Sequence, residues 1–232
     1  MFVMWGNCMK IIKFDEIDST QKYIKDNIID IEDDTVVCAK VQTAGRGRTG
    51  NIWQSKEGGL WFSCVFDVSN VDSKRLELFT MFVGVSVFNV LKELYDIDVK
   101  LKWPNDLYIN GKKLCGIIAE IIDNKVIIGI GINTNISKEY LITTGTSLLN
   151  ELNKQVDNGL IMMNICEVLI KNKANFDVED IVDTFRNNMI YKNEKYFIKS
   201  LNKEVIIKDV DENGALVYEE NGTIKTIDFG EI

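Results

Sequence analysis

Histidine is absent from this chain of 232 residues. Its absence excludes Ser-His-Asp and Cys-His nucleophile systems and every His-ligated zinc site. Any chemistry must therefore run on carboxylates, lysine, arginine and backbone groups. Cysteine is sparse and badly spaced for metal or disulfide work. The five, at positions 8, 38, 64, 115 and 166, form no CxxC pair and cannot all pair with one another. That usage points to a reducing, cytoplasmic compartment. Long apolar runs are missing too: the greasiest stretch, LFTMFVGVSVFNVL (78–91), is 14 residues long and interrupted by Thr80, Ser86 and Asn89. A membrane span needs roughly 20, so a buried helix is expected there and no membrane partner. The N-terminal MFVMWGNCMK lacks a signal-peptide pattern, and Met9 offers an alternative start.

Positive charge is also in short supply. Lysine and arginine total 27 against 35 aspartate and glutamate, a net charge of −8, which argues against a surface that binds nucleic acid through its phosphates. Only four of the cations are arginines, and two of them fall one residue apart in QTAGRGRTGNIW (42–53). The glycines at 45, 47 and 50 let backbone amides approach a ligand closely, while Arg46 and Arg48 bring charges that do not titrate away. The stretch reads as an anion clamp. GRGRTG also fits the dinucleotide fingerprint GxGxxG, and a strand, TVVCAKVQ (35–42), precedes it. That fingerprint needs a helix to begin within the glycines, however, and NIWQSKEGG continues as a loop.

Periodicity places the remaining elements. KIIKFDEI (10–17) alternates as a strand, and Asp18, Ser19 or Thr20 can cap a helix running to about Ile29 with Tyr23, Ile24 and Ile28 on its apolar face. GGLWFSCVFDV (58–68) is a buried strand. Ser73 caps a helix to about Tyr95 that carries Leu76, Phe79, Val83, Val87, Val90 and Leu94 on one stripe. The single proline, Pro104, lies between Trp103 and Asn105-Asp106 and imposes an extended-to-turn geometry. Turns at NGK (110–112) and DNK (123–125) fold residues 99–135 into an antiparallel meander that gathers Lys102, Asn105, Asp106 and Lys113. Helical patterns at 159–171 and 178–190 cover the sheet. From about 195 onward, short strands with ENG turns at 212–214 and 220–222 suggest a small barrel of about 40 residues.

Two cationic elements facing one cleft, without histidine, suit a reaction between anions. In the attack of a carboxylate on the α-phosphate of ATP, arginine and lysine screen the repulsion and stabilise the charge that builds on phosphorus. Trp53 offers a face to a planar base. From the residues alone, the reading is a carboxylate or nucleotide ligase, or a phosphate binder.

GRGRTGNIW, then KWPNDLYINGKKLCGIIAE, then GIGINTN resembles biotin protein ligase, and the likeness runs from FDEIDSTQ at residue 14 to FGEI at 229. The resemblance implies an α+β fold: a mixed, largely antiparallel sheet flanked by helices, biotin/lipoate ligase-like and related to the class II synthetases. A catalytic biotin- and ATP-binding domain would span 1–191, and an SH3-like β-barrel would span 192–232. It implies a ligase, biotin–[acetyl-CoA-carboxylase] ligase, that makes biotinyl-5′-AMP from biotin and ATP with Mg²⁺. The biotinyl group would then pass to a lysine of a biotin carboxyl carrier protein. Carried over by motif, Ser19, Thr20 and Gln21 would contact the biotin ring and Gln42 its neighbourhood. Gly45, Arg46, Gly47 and Arg48 would hold the carboxylate and phosphate, and Trp53 would cover adenine. Lys113 would make the central catalytic contact, Asn105 would hold adenylate or Mg²⁺, Asp106 would orient or deprotonate the acceptor lysine, and Gly116 and Asn133 would line the cleft. No dedicated metal site is expected, and the resemblance allows a homodimer.

The departures are equally specific. Gln21 stands where many members carry asparagine, and Lys208 stands where some carry an ATP-binding arginine. With no room for a helix-turn-helix ahead of FDEIDST, the expectation is the enzyme without a repressor function. A lipoate or octanoate transferase is disfavoured because GRGRxG with KWPND marks the biotin branch.

Overall fold

The computed structural model describes residues 2–5, 9–198 and 200–228. Eight strands form one sheet: β1 (Phe2–Trp5), β2 (Met9–Ile17), β3 (Thr35–Gln42), β4 (Leu60–Asp67), β5 (Lys100–Lys102), β6 (Asp106–Ile109), β7 (Lys112–Ile122) and β8 (Lys125–Ile132). Their spatial order is β1-β2-β3-β4-β8-β7-β6-β5. Every neighbouring pair is antiparallel except β2 and β3, which run parallel with helix α1 (Thr20–Asp26) between them in sequence. The mixed, largely antiparallel sheet flanked by helices is as the sequence indicates, and β1 is an element the sequence reading did not foresee.

Alternation along the strands sorts two faces. Phe62, Cys64 and Phe66 on β4 and Ile128, Ile130 and Ile132 on β8 point into the main core. Helices α3 (Phe79–Tyr95), α5 (Asn158–Asn172) and α6 (Val178–Asn188) supply the rest of that core, and the short α4 (Leu148–Leu152) adds Leu148. Each fully buried aliphatic or aromatic side chain there is worth about 1.5–3 kcal/mol of apolar burial. The opposite face is covered over part of its area by α1, whose Ile24 packs with Val37, Val65 and Ile127. Beyond α1 the same face lies open as a cleft.

Three helix boundaries differ from expectation. The helix expected from Ser73 is two: α2 (Ser73–Glu77), capped by Asp72 through the Arg75 amide, and α3, with Leu78 as the break between them. The anticipated stripe is only part of what α3 buries. Met81, Phe82, Val85, Phe88 and Leu91 are buried as well, because the sheet lies beneath it and α5 and α6 beside it. The first helix stops at Asp26, closed by Asn27, and α6 stops at Asn188, each one short turn before the sequence reading placed it.

The NG turn is of the expected hairpin kind, with positive φ at both Asn110 (51°) and Gly111 (73°). The Trp103–Pro104 peptide is cis. The C-terminal strands β9 (Lys195–Ile198), β10 (Lys203–Val210), β11 (Leu216–Glu220) and β12 (Thr223–Ile227) make a separate four-stranded antiparallel sheet, consistent with an SH3-like domain. It docks on the main body through Trp103 Nε1 donating to Gly214 O (2.9 Å) and Arg186 Nε donating to Val210 O (2.7 Å). Cys8 and the FGEI end of the last motif lie outside the described residues. Cys38, Cys64, Cys115 and Cys166 are free thiols. No helix among the described residues is long and apolar enough to cross a membrane.

Candidate active site

A cleft of about 750 Å³ crosses the open face of the sheet from β4 to β5. Its floor is glycine. In VIIGIGI the isoleucines at 128, 130 and 132 turn into the core, so Gly129 and Gly131 face the cleft, and Gly116 lies beside Gly131 on β7. A Cβ at Gly129 would sit 3.1 Å from Gln21 Oε1, one at Gly131 would sit 2.6 Å from Trp53 Nε1, and one at Gly116 would sit 3.0 Å from Trp53 Cζ3 and 3.3 Å from Lys113 Nζ. The bare backbone is the seat on which three of the expected site residues rest.

The end over β4 and β8 is neutral and buried. Ser19 caps α1, accepting from the Lys22 amide. Thr20 donates its amide (2.8 Å) and its hydroxyl (3.1 Å) to Gln42 Oε1, and its Oγ1 meets Ser63 Oγ at 2.7 Å. Gln42 Nε2 donates to Ser55 Oγ at 2.8 Å, so both ends of this amide are committed to holding Thr20 and the loop. Gln21 is different. It is 7% exposed, and its Nε2 has no hydrogen-bond partner. A buried amide donor left alone costs about 1–3 kcal/mol, and the group that would repay it is an acceptor on a ligand.

The other end is charged. Lys113 Nζ lies 2.7 Å from Asp106 Oδ1 as an ion pair, though off a hydrogen-bonding direction, and 5.2 Å from the centre of the Trp53 ring. Lys113 faces the cleft because of a β-bulge. Leu107 pairs with Cys115 but Tyr108 pairs with Lys113, which leaves Leu114 as the extra residue. Simple alternation from Gly116 would have turned Lys112 inward; instead Lys112 is exposed. The bulge is held from outside by Lys113 N donating to Thr144 O and Thr146 N donating to Lys113 O. Burial pushes the Arg48 guanidinium below its usual pKa, against the pull of the Asp106 carboxylate, and it remains a cation at neutral pH. Asn105 is buried, and its Nδ2 donates to Ile117 O, which leaves its carbonyl oxygen as the free acceptor.

Loop 43–52 joins the two ends. Arg46 bridges Ile52, and a single 3-10 turn spans Arg48–Gly50, so no helix begins within the glycines. Among the residues expected at the site, Ser19, Thr20, Gln21, Gln42, Arg46, Gly47, Arg48, Trp53, Asn105, Asp106, Lys113 and Gly116 line the cleft. Two lie behind its wall. Gly45 is packed so that a Cβ would sit 2.5 Å from Trp53 O, and Asn133 uses its backbone to pair with Leu114 and Leu148.

Several lining residues were not assigned from sequence. Ser63 is the lone hydroxyl in the apolar run LWFSCVF of β4, a signal that was available. Lys102 was placed near the site without a role, and Tyr196 reaches the cleft from the C-terminal sheet, which no local pattern announces. Lys208 does not line the cleft; it pairs with Glu219 at 2.8 Å. Among the described residues, no group of three His, Cys, Asp or Glu side chains is placed to hold a metal ion. Mg²⁺ is commonly held by one or two protein oxygens together with substrate phosphates, and Asn105 and Asp106 suit that arrangement.

Comparison with known proteins agrees with this geometry. Residues 13–136 match the Biotin/lipoate A/B protein ligase family. The chain is 30% identical over 229 residues to the bifunctional ligase/repressor BirA of Salmonella typhimurium, spanning 93% of this chain and 71% of that one. It is 33% identical over 122 residues to the biotin–[acetyl-CoA-carboxylase] ligase of Mycobacterium tuberculosis, spanning 51% of this chain and 46% of that one. The solved biotin protein ligase from Aquifex aeolicus in complex with biotin and ATP aligns with a TM-score of 0.82 at 30% identity, over 95% of this chain and 96% of the other.

Proposed function

The chain belongs to the biotin/lipoate A/B protein ligase family, and from that premise we propose that it activates biotin with ATP and passes the biotinyl group to a lysine of a biotin carboxyl carrier protein. The observation that carries the choice of biotin is the buried, unpartnered Gln21 amide within a pocket of hydroxyls. A ureido ring offers it an acceptor; a lipoyl or octanoyl chain would leave it unpaired.

In the first step a biotin carboxylate oxygen bonds to the α-phosphorus of ATP, and the bond to the β-phosphate oxygen breaks, so that pyrophosphate leaves with the electron pair. Lys113 and Arg48 stabilise the charge that gathers on the α-phosphoryl oxygens and screen the two anions from each other. Asn105 and Asp106 are the protein oxygens that would hold a Mg²⁺ ion bound with the phosphates, and such an ion would supply further neutralisation of their charge. In the second step the acceptor amine attacks the acyl carbon, and AMP departs. Asp106, 2.7 Å from Lys113 Nζ, is the carboxylate that orients this amine and receives its proton. Trp53 forms the wall between the head pocket and the phosphates. Residues 1–191 carry this chemistry and 192–232 form the second domain on our reading, with Tyr196, Phe197 and Ile198 of the C-terminal sheet lining one end of the cleft.

The test is to mix the protein with biotin, MgATP and a carrier domain, and to follow nucleotide and carrier by mass spectrometry. AMP and a biotinylated carrier lysine are expected, with no product when lipoate replaces biotin. Lipoylation at a comparable rate, or nucleotide release as ADP, would remove the reading.

A further inference from the structure

We propose that Lys102 is the binding site for the β- and γ-phosphates of ATP, and hence for the pyrophosphate that leaves; this rests on the adenylation reading above. Lys102, the first residue of KWPND, is a cleft-lining cation on β5 to which the resemblance assigns no role. Its ammonium donates to Tyr108 Oη at 3.0 Å and lies 4.8 Å from the centre of the Tyr108 ring and 5.2 Å from that of Tyr196. Among the described residues no carboxylate comes within ion-pair distance of it, unlike Lys113, which is held by Asp106. Two tyrosine faces compensate a half-buried ammonium only in part. Burial works against its charge, and the tyrosine hydroxyls outweigh that, so it stays protonated at neutral pH. A cation kept charged in a cleft without a counter-charge is prepared for an anion that arrives with the substrate.

The order of strands says which anion. Ser63 is on β4, Lys113 on β7 and Lys102 on β5, the last in register with Asp106 on the cleft side. Strand spacing puts β7 about 10 Å from β4 and β5 about 10 Å farther on. A biotin head and its acyl chain fill the first interval and bring the carboxylate to Lys113. What extends past the α-phosphate into the second interval is the pair of terminal phosphates. Among the described residues the C-terminal sheet brings no second cation to the cleft lining, Lys208 being bound to Glu219; it supplies Tyr196, whose ring lies against the lysine.

Calorimetric titration with inorganic pyrophosphate, alongside half-reaction kinetics, tests this on the full chain. Lys102→Met should weaken pyrophosphate binding and raise KM for ATP by about tenfold or more. Biotin affinity and transfer from supplied biotinyl-5′-AMP should stay within about twofold of the parent. Tyr196→Leu should show the same signature more weakly. Unchanged pyrophosphate binding and KM for ATP in a folded Lys102→Met protein would overturn the assignment. So would a loss confined to transfer from supplied adenylate, which would assign Lys102 to the acceptor amine. If Lys102→Met does not fold, Lys102→Gln, which retains a donor to Tyr108, gives the same discrimination. A parent protein that binds pyrophosphate through Lys102 but makes no biotinyl-5′-AMP would sink the adenylation reading and leave the anion site standing; a parent that binds no pyrophosphate overturns the anion site.

Discussion

The two ends of the cleft are built on different physical terms. At the β4–β8 end the polar groups are neutral, buried and tied to one another, so that Gln42 holds Thr20, Thr20 meets Ser63, and one amide, Gln21 Nε2, is left over. At the β7–β5 end the groups are charged and partly open to solvent, with Lys113, Asp106, Arg48 and Lys102 within one stretch of floor. A preorganised neutral pocket discriminates between ligands, because a wrong one leaves buried groups unpaired. A cluster of cations discriminates little but acts strongly where charge develops in the transition state. On the proposed function, recognition and catalysis fall to separate strands of the same sheet, with the Trp53 indole on Gly116 and Gly131 between them.

Mutations that respect this division should separate its two halves. The largest effect is expected for Lys113→Ala. A charge-assisted contact is worth about 1.5–3 kcal/mol and more against transition-state charge, so adenylation should fall at least tenfold to a hundredfold while thermal stability barely moves. Lys112→Ala, on the solvent side of the bulge, should be close to the parent in the same pyrophosphate-release assay. Equal losses in the two variants would mean that the bulge does not set their roles. Next comes Arg48→Gly, which should release biotinyl-5′-AMP about tenfold to a hundredfold faster and label bystander lysines. The rate of adenylate loss by rapid filtration checks it, and retention equal to the parent would show that loop 43–52 is scaffold.

At the neutral end, Gln21→Leu should weaken biotin about tenfold yet leave the melting temperature unchanged or raised, since it deletes a buried donor that has no partner in the free protein. Calorimetry with biotin and a melting curve read the two consequences separately. A fall in stability with intact biotin affinity would make Gln21 a structural residue. The smallest effect is expected from Gly131→Ala. Its added carbon would lie 2.6 Å from the indole nitrogen, so Trp53 must shift, and a few-fold rise in KM for both substrates should accompany a change in tryptophan emission. An unaltered spectrum would mean that the floor has room to spare.

The sequence disclosed these two ends unequally. The strands, the NG hairpin and the glycine-arginine loop whose Arg46, Gly47 and Arg48 line the cleft were legible because period-two alternation and glycine chemistry are local. The alternation of glycine and isoleucine in GIGI even contains the floor, once it is clear which face carries α1. The facing of Lys113 was not legible from alternation, which would have turned Lys112 inward; resemblance selected Lys113, and the bulge at Leu114 supplies the physical reason. Leu78 looks like any other apolar position, so the break between α2 and α3 carries no local signature. Tyr196 is some ninety residues from Lys102 in sequence, and only the docking of the C-terminal sheet through Trp103 and Arg186 brings them together.

The most direct test of the division is the first half-reaction alone. With biotin and MgATP and no carrier, mass spectrometry of the protein-bound nucleotide should find biotinyl-5′-AMP, with one pyrophosphate released for each adenylate formed. In Gln21→Leu that adenylate should recover at saturating biotin, and in Lys113→Ala it should not recover at any concentration of either substrate. Finding no adenylate in the folded parent protein, or finding that excess biotin rescues both variants alike, would contradict the account.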